Sequence, residues 1–201
     1  MTPMRLEGAV LCGGASRRMG QDKAALPHPN GGSWLSHAAE LLSQVCPSVA
    51  VCSQHSSHAD LIAELERVVL ALEPAPAQGP LHALQLVLPR GSDSALLVAP
   101  VDMPQLTRSA LDALIAQWKH SPSQAAVAHD GERLQPLLGI YPGGPEQCNG
   151  LAEVLASGER RWQAWLATIP HQAVVLPAAP LINANTPAER ARLMALSLIH
   201  I

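Results

Sequence analysis

The sequence predicts an α/β fold of three layers, with helices on both faces of a mostly parallel sheet. Three observations lead to this fold class. Short apolar runs alternate with segments of helical periodicity, and the short turns between them favour parallel strands joined by crossover helices. The chain has no Phe and a single Tyr among 201 residues, so Leu, Ala and Val must fill its core, which suits helix and sheet layers better than an aromatic-rich β-sandwich.

The first part of the chain is expected to hold three strands and two helices. The apolar segments that predict the strands are Ala9–Cys12, Ser48–Ser53 and Val68–Leu72. The first helix is expected over Ser33–Val45, because apolar residues recur there at helical spacing. Ser57 is a candidate N-cap for a second helix that continues through Leu65.

A proline-rich segment, Glu73–Pro80, follows the third predicted strand. Its prolines exclude both a helix interior and a central strand, so we expect a loop. The segment is too short for a linker between domains. Residues 1–201 are therefore expected to form a single domain.

The second half of the chain continues the alternation and adds one hairpin. Thr107 is expected to cap a helix with one apolar face, and Asp130-Gly131 predicts a tight turn between two apolar runs. A capping box at residues 186–189 is expected to begin the last helix. The other predicted strands are Ala95–Ala99, Ala125–Ala128, Leu137–Tyr141 and Ala173–Leu176. The other predicted helices are Leu81–Leu88, Pro145–Ala156 and Arg160–Leu166.

Composition and charge argue against several classes of protein. A net charge of −3 is unlike the basic surface of a nucleic-acid binder. The four cysteines include no C-x-x-C pair, so a structural zinc site is not expected. Neither a secretory signal nor an apolar run of about 20 residues is visible. We therefore expect a cytoplasmic protein with free thiols.

The glycine-rich segment Leu11–Lys23 is the strongest indication of function. Its glycines allow backbone N–H groups to approach a ligand and to form an anion-binding concavity. Arg18 and Lys23 would neutralise phosphate charge. The segment matches neither G-x-x-x-x-G-K-[ST] nor G-x-G-x-x-G, which argues against a P-loop enzyme or a dinucleotide oxidoreductase. It predicts the binding of nucleotide phosphates.

Acidic residues follow two other predicted strands. Because ligands of parallel sheets bind beyond the carboxyl ends of the strands, the loops carrying Glu73, Asp102 and the glycines are expected to converge on one crevice. Mg²⁺ favours one or two carboxylates plus phosphate oxygens, which suits Asp102 facing a triphosphate. Glu73 is a candidate to accept hydrogen bonds from a base or to hold a cation. Asn183 and Asn185 alternate, so both could face one side of an extended segment.

Taken together, these motifs resemble the nucleotidyltransferases of the molybdenum cofactor guanylyltransferase type. The resemblance starts with the GG-x-S-x-RMG-x-DK pattern of residues 13–23 and spans nearly the whole chain. The later motifs that carry it are Gly79-Pro80-Leu81, Asp102-Met103-Pro104, His129-Asp130-Gly131-Glu132-Arg133, Gly158-Glu159-Arg160-Arg161 and Asn183-Ala184-Asn185-Thr186-Pro187. It implies a Rossmann-like fold of the nucleotide-diphospho-sugar transferase type. It also implies transfer of GMP from GTP to the terminal phosphate of molybdenum-molybdopterin, with Mg²⁺ as cofactor and pyrophosphate as product.

The resemblance also assigns residues to roles. The implied catalytic residues are Arg18, Lys23 and Asp102, of which Asp102 would also hold the metal. The implied nucleotide-binding residues are Leu11, Cys12, Gly13, Gly14, Lys23, Cys52, Glu73 and Asp102. The residues implied to line the pterin side are Arg161, Asn183 and Asn185. The chain departs from the usual pattern in having Cys12 for Ala, Cys52 for Asn and Glu73 for Asp.

Three alternatives stay open from the sequence. A cytidylyltransferase would make the corresponding cytosine dinucleotide, and a sugar-phosphate nucleotidyltransferase would share the first signature. A non-catalytic module that delivers the cofactor is disfavoured by the intact Lys23 and Asp102. The expected partners are GTP, molybdenum-molybdopterin and, transiently, molybdoenzymes or cofactor-synthesis proteins, with neither nucleic acid nor membrane.

Overall fold

A computed structural model describes residues 4–12, 22–76, 78–184 and 189, and within them seven strands form one sheet. The strands are β1 (Arg5–Leu11), β2 (Val49–Ser53), β3 (Val68–Leu72), β4 (Ser94–Pro100), β5 (Ala125–His129), β6 (Leu134–Pro142) and β7 (His171–Val175). The helices are α1 (Trp34–Ser43), α2 (His58–Leu61), α3 (Pro80–Val87), α4 (Arg108–Trp118), α5 (Pro145–Ala156) and α6 (Trp162–Leu166), followed by a 3₁₀ turn at Ala179–Leu181.

The sheet is mostly parallel, as the sequence predicts. Its strand order is β3-β2-β1-β4-β6-β5-β7. Of the seven strands described, β6 alone runs against its neighbours, because it pairs antiparallel with both β4 and β5. The chain moves outward from β1 to β3 and then returns to place β4 on the other side of β1. This reversal creates a topological switch point between β1 and β4, beyond whose carboxyl ends a ligand crevice is expected.

Two apolar cores cover the two faces of the sheet, which makes the fold three layers deep. Successive residues of β1 alternate between them, with Val10 in one core and its neighbours Ala9 and Leu11 in the other. Helices α1 and α4 pack on the first face, and α3, α5 and α6 pack on the second. Every residue of β4 is buried, as expected of a central strand covered on both sides.

Local signals begin several elements where the sequence places them. The Ser33 side chain accepts a hydrogen bond from the Ser36 N–H and completes a capping box at α1. Thr107 caps α4 by accepting from the Ala110 N–H. The predicted hairpin joins β5 to β6 through Gly131, whose φ of 100° is a conformation that glycine adopts without strain.

Several element ends differ from the sequence prediction. Helix α2 ends at Leu61 rather than Leu65, because N–H groups beyond it bond to carbonyls three residues back. Strand β1 begins four residues early because it pairs with β4 along its whole length, and β6 is extended by its pairing with β5. Helix α6 begins only at Trp162, and β7 is shifted to His171–Val175 by its pairing with β5. Residues 186–188 of the predicted capping box lie outside the described residues.

Candidate active site at the carboxyl ends of the central strands

Backbone hydrogen bonds join the carboxyl ends of three neighbouring strands. The Cys12 N–H, just after β1, donates to the Cys52 carbonyl of β2 at 3.0 Å. On the other side, the Val101 N–H, just after β4, donates to the Leu11 carbonyl at 3.1 Å. Leu11 and Cys12 therefore lie between the end of β2 and the loop that carries Asp102. The ends of β1, β2 and β4 therefore lie side by side, while the glycines expected to join them lie outside the described residues.

Lys23 and Asp102 meet at this edge although 79 residues separate them. The Nζ of Lys23 lies 3.1 Å from the Oδ2 of Asp102, and their side chains are 15% and 22% exposed. Partial burial strengthens a charge pair relative to one in water, while the remaining exposure leaves both groups accessible to a ligand. The arrangement places a cation and a carboxylate side by side at the switch point of the sheet.

Lys23 lies in a turn that the start of α1 holds in place. The Leu26 N–H donates to the Lys23 carbonyl at 3.2 Å. The next carbonyl, that of Ala24, accepts from the Leu35 N–H at 3.1 Å. Because Leu35 is fully buried in the core under α1, this contact ties the turn to the rigid part of the fold.

Glu73 lies at the same edge, next to the end of β2. Its N–H donates to the Ser53 carbonyl at 2.7 Å, and only 8% of the residue is exposed. Burial raises the pKa of its carboxyl group. Its Oε1 has no hydrogen-bond partner among the described residues. An unsatisfied acceptor this deeply buried is costly, which is a reason to expect a ligand donor at this position.

Both cysteines of the site have a thiol pKa raised above its ordinary value. Burial is the main cause that raises the pKa of Cys12, and burial followed by the nearby Glu73 charge raises the pKa of Cys52 to about 12. A thiol with so high a pKa is a poor nucleophile at neutral pH. The Cys52 side chain is fully buried, and its Sγ faces the Ala83 carbonyl of α3 at 3.8 Å.

A polar network leads from the hairpin to the segment after the 3₁₀ turn. The Gln135 Nε2 donates to Asp130 at 2.6 Å, and the Gln135 Oε1 accepts from the Asn183 Nδ2 at 3.5 Å. The pKa of Asp130 is lowered to about 2, first by the backbone N–H groups of Arg133 and Glu132 and then by Gln135. The Ala184 N–H donates to the Asp102 carbonyl at 2.9 Å. Asn183 thus lies next to the loop that carries Asp102.

The other predicted site residues lie either on the surface or outside the described residues. The Arg161 side chain is 78% exposed and pairs with Glu159 at 2.7 Å. Four further residues of the predicted site lie outside the described residues and stay predictions: Gly13, Gly14, Arg18 and Asn185.

The sequence analysis missed two contributors to the edge of the site. Gln135, 8% exposed, bridges the hairpin and Asn183. His58, 1% exposed, contacts Asp22, the residue before Lys23, with 2.6 Å between Nε2 and Oδ2. Asp22 belongs to the glycine-rich signature and could have drawn attention to a partner. No local pattern indicates that His58 is that partner, because 36 residues separate them.

The donor set of the site suits a magnesium ion shared with a substrate. Among the described residues, no group of three or more His, Cys, Asp or Glu side chains could hold a metal ion. Mg²⁺ commonly uses one or two carboxylates and completes its coordination with phosphate oxygens and water. Asp102 meets that requirement at the end of β4.

None of the described helices combines the length and apolar character needed to cross a membrane.

Sequence comparisons relate the chain to known proteins. Residues 8–173 match the family described as MobA-like NTP transferase domain. A Rhodopirellula baltica protein named probable molybdenum cofactor guanylyltransferase is 39% identical over 194 residues, which cover 93% of this chain and 90% of the relative. A Synechococcus elongatus protein of the same name is 34% identical over 190 residues, which cover 92% of this chain and 96% of the relative.

A solved structure supports the fold. Molybdopterin-guanine dinucleotide biosynthesis protein A from Archaeoglobus fulgidus has a TM-score of 0.72 to this chain at 18% identity. The match covers 96% of this chain and 98% of that structure. At this identity the similarity shows the fold alone, a nucleotidyltransferase-type α/β sheet.

Proposed function

The chain belongs to the MobA-like NTP transferase family, and we propose that it is a molybdenum cofactor guanylyltransferase. It transfers GMP from GTP to the terminal phosphate of molybdenum-molybdopterin and releases pyrophosphate. The observation that carries the proposal is the Lys23–Asp102 pair, 3.1 Å apart at the switch point of the sheet. A cation and a carboxylate at that place are what a nucleotide triphosphate and its metal ion require.

The chemistry needs little covalent help from the protein. An oxygen of the pterin's terminal phosphate attacks the α-phosphorus of GTP, and the bond from that phosphorus to the bridging oxygen breaks. Pyrophosphate leaves with the electron pair of that bond. Positioning of the two phosphates and neutralisation of their charge account for most of the catalysis in such transfers. Lys23 and Arg18 are proposed to bind the phosphates and to stabilise the charge that develops on them.

Asp102 is proposed to hold Mg²⁺, which supplies further charge neutralisation for the phosphates when bound. Its carboxylate also orients the Lys23 ammonium, since their polar atoms are in hydrogen-bond contact. The Val101 and Ala184 backbone bonds hold the Asp102 loop from both sides, so the carboxylate is pre-positioned before the substrate arrives.

The nucleoside is proposed to lie along the edge from β1 to β3. Backbone groups of residues 11–14 would contact it, and Cys52 would contribute through its backbone because its side chain is buried. The Oε1 of Glu73, which has no hydrogen-bond partner within the described part of the chain, would accept a hydrogen bond from an N–H group of the base or from a ribose hydroxyl.

The pterin substrate is proposed to approach from the other side of Asp102. Asn183 is the best-supported contact on this side, because the neighbouring Ala184 bonds to Asp102. Asn185 and Arg161 complete the proposed set. Arg161 is exposed and pairs with Glu159, so it would have to change partner to bind a phosphate.

A transfer assay tests the proposed function. The purified protein is incubated with molybdenum-molybdopterin, Mg²⁺ and GTP or CTP labelled at the α-phosphate. We expect labelled GMP in the dinucleotide and an equal amount of pyrophosphate. Incorporation of CMP alone would make it a cytidylyltransferase, and preference for a sugar phosphate would make it a sugar nucleotidyltransferase. If no pyrophosphate is released with any of these substrates, a binding and delivery module is favoured.

Asp102→Asn is the matching variant in this assay. The amide keeps the shape of the side chain but loses its charge, so we expect turnover to fall about a hundredfold. Asp112→Asn is the control, because Asp112 is 53% exposed on α4 and pairs with Arg108 on the surface. Full magnesium-dependent turnover in Asp102→Asn would remove Asp102 from the mechanism.

The proposal extends to organisation and location. One sheet runs through the described residues, which supports a single nucleotidyltransferase domain over residues 1–201; a single cooperative unfolding transition tests this. We also expect a cytoplasmic protein that contacts molybdoenzymes or cofactor-synthesis proteins transiently. Cell fractionation and cross-linking in extracts test both expectations.

A further inference from the structure

A buried imidazole connects the end of β2 to the signature that carries Lys23. His58 is the first residue of α2 and is 1% exposed. Its Nδ1 lies 2.8 Å from the Ser53 Oγ, and its Nε2 lies 2.6 Å from the Asp22 Oδ2. Neither the sequence motifs nor the proposed chemistry uses this histidine. Both ring nitrogens of this buried side chain have hydrogen-bond partners. Replacing it costs free energy, because the groups left behind lose their partner.

The hydrogen bonds in this network have a defined direction. The Ser53 Oγ accepts from the His55 N–H at 3.0 Å, so its own O–H is available to donate to the His58 Nδ1. A carboxylate oxygen only accepts, so the His58 Nε2–H donates to Asp22. The network therefore runs from Ser53 through His58 to Asp22.

Asp22 transmits this anchoring to the backbone around Lys23. Its other oxygen, Oδ1, accepts from the Ala24 N–H at 3.0 Å, which closes a small turn over Lys23. Because 42% of the Asp22 side chain is exposed, water could donate to its carboxylate in place of the Ala24 N–H. The bond from the buried His58 counters that tendency by holding Asp22 against the end of β2.

We propose that His58 is a positioning residue for Lys23. Through Asp22 it fixes the turn from which the Lys23 side chain reaches Asp102 and, in the proposed function on which this inference rests, the GTP phosphates. His58 itself touches neither nucleotide nor pterin. Its loss therefore weakens GTP binding through Lys23 and leaves the affinity for the pterin substrate unchanged.

Three variants of His58 distinguish positioning from a structural role. Glutamine places its amide nitrogen as many bonds from Cα as Nε2, so His58→Gln keeps a donor within reach of Asp22. Asparagine is one bond shorter and places its amide near the position of Nδ1, so His58→Asn does not reach. His58→Ala removes the donor entirely. His55→Ala is the control, because it removes an exposed ring that lies 5.2 Å from the His58 ring and keeps the backbone N–H that donates to Ser53.

The measurement is the Kd for GTP with Mg²⁺ by titration calorimetry, together with KM for both substrates. We expect His58→Ala and His58→Asn to weaken GTP binding about tenfold, the scale of a lost charge-assisted hydrogen bond, and His58→Gln to recover most of it. KM for molybdenum-molybdopterin should stay constant, and His55→Ala should match the wild type. Equal GTP affinity in the wild type and all three His58 variants, or equal loss in His58→Gln and His58→Asn, would overturn the inference.

Hydrogen exchange at the Ala24 amide tests the anchoring without nucleotide. In the wild type this N–H is bonded to Asp22, and we expect its exchange to speed up in His58→Asn but not in His58→Gln. Unchanged protection in His58→Asn would contradict the inference while leaving the proposed function intact. Failure of the wild type to bind GTP, with Ala24 behaving as expected, would instead contradict the proposed function and leave the anchoring of the Lys23 turn supported.

Discussion

Two stacked histidines lie beside the loop that carries Asp102. The rings of His28 and His37 are 3.6 Å apart and 11° from parallel. The His28 Nδ1 accepts from the Asn30 N–H, so its Nε2–H donates to the Pro104 carbonyl at 2.9 Å. The pKa of His37 is lowered to about 4, mainly by burial and then by repulsion from His28, against the opposing hydrogen bond to Leu106. The stack therefore braces the start of α1 against this loop.

Stability should fall in acid because of His37. Below about pH 6.5 the unfolded chain protonates this histidine while the folded chain does not until about pH 4, so the free energy of unfolding decreases across that window. We expect a loss of about 2 kcal/mol, discounted because His37 is only partly buried. Urea denaturation at several pH values measures it. In His37→Gln the decrease over the same window should be smaller, and an unchanged decrease would contradict this origin.

At the scale of elements, caps decide where helices begin. Thr107 has extended backbone angles and accepts from the Ala110 N–H, whereas Ser57 has helical angles and makes no cap bond with its side chain. Both residues look like N-caps in the sequence. The difference arises because a cap requires a particular backbone conformation, which the chain before the helix determines.

The two candidate caps form a matched pair for mutation. Thr107→Ala should lower the free energy of unfolding by about 1 kcal/mol, because an N–H of the first turn of α4 loses its acceptor. Ser57→Ala should change it by less than about 0.5 kcal/mol, since no side-chain bond is lost. Chemical denaturation checks both values. A larger effect at Ser57 than at Thr107 would show that the two cap geometries are misassigned.

At the scale of the whole molecule, the antiparallel β6 connects the two parts of the sheet. It inserts between β4 and β5, and the chain then turns at Gly143 close to the carbonyls before and within β4. A Cβ at Gly143 would lie 2.6 Å from the Pro89 carbonyl oxygen and 2.9 Å from that of Ser94. The position admits only hydrogen because two backbone segments distant in sequence meet there.

Gly143→Ala should destabilise the fold, whereas Gly150→Ala should stabilise it. The new methyl group must displace backbone rather than a flexible side chain, so we expect a loss of about 2 kcal/mol or more. Gly150→Ala is the control, because Gly150 lies inside α5 with open space around its Cα and should gain up to about 1 kcal/mol from helix propensity. Thermal unfolding of both variants measures the contrast. Equal effects at the two sites would contradict the close contact at Gly143.

Local interactions let the sequence by itself determine much of this protein. The α/β class, the central strands, the Thr107 cap and the Asp130-Gly131 hairpin all follow from periodicity, capping and turn chemistry. These signals depend on neighbours in the chain, so they can be read without the fold. The sequence also places Glu73 and Asp102 directly after strands, and parallel topology then brings them to one edge.

Only the tertiary structure decided which groups meet. The place of β6 in the sheet, the Lys23–Asp102 pair, the Gln135–Asn183 contact and the His58–Asp22 bond join residues far apart in the chain. Such contacts depend on strand order and on the alternation of side chains across the sheet, and a shift of one residue would turn each side chain to the other face. The glycine-rich segment therefore identifies a site for phosphates, while the packing around it selects the partners of its Asp22 and Lys23.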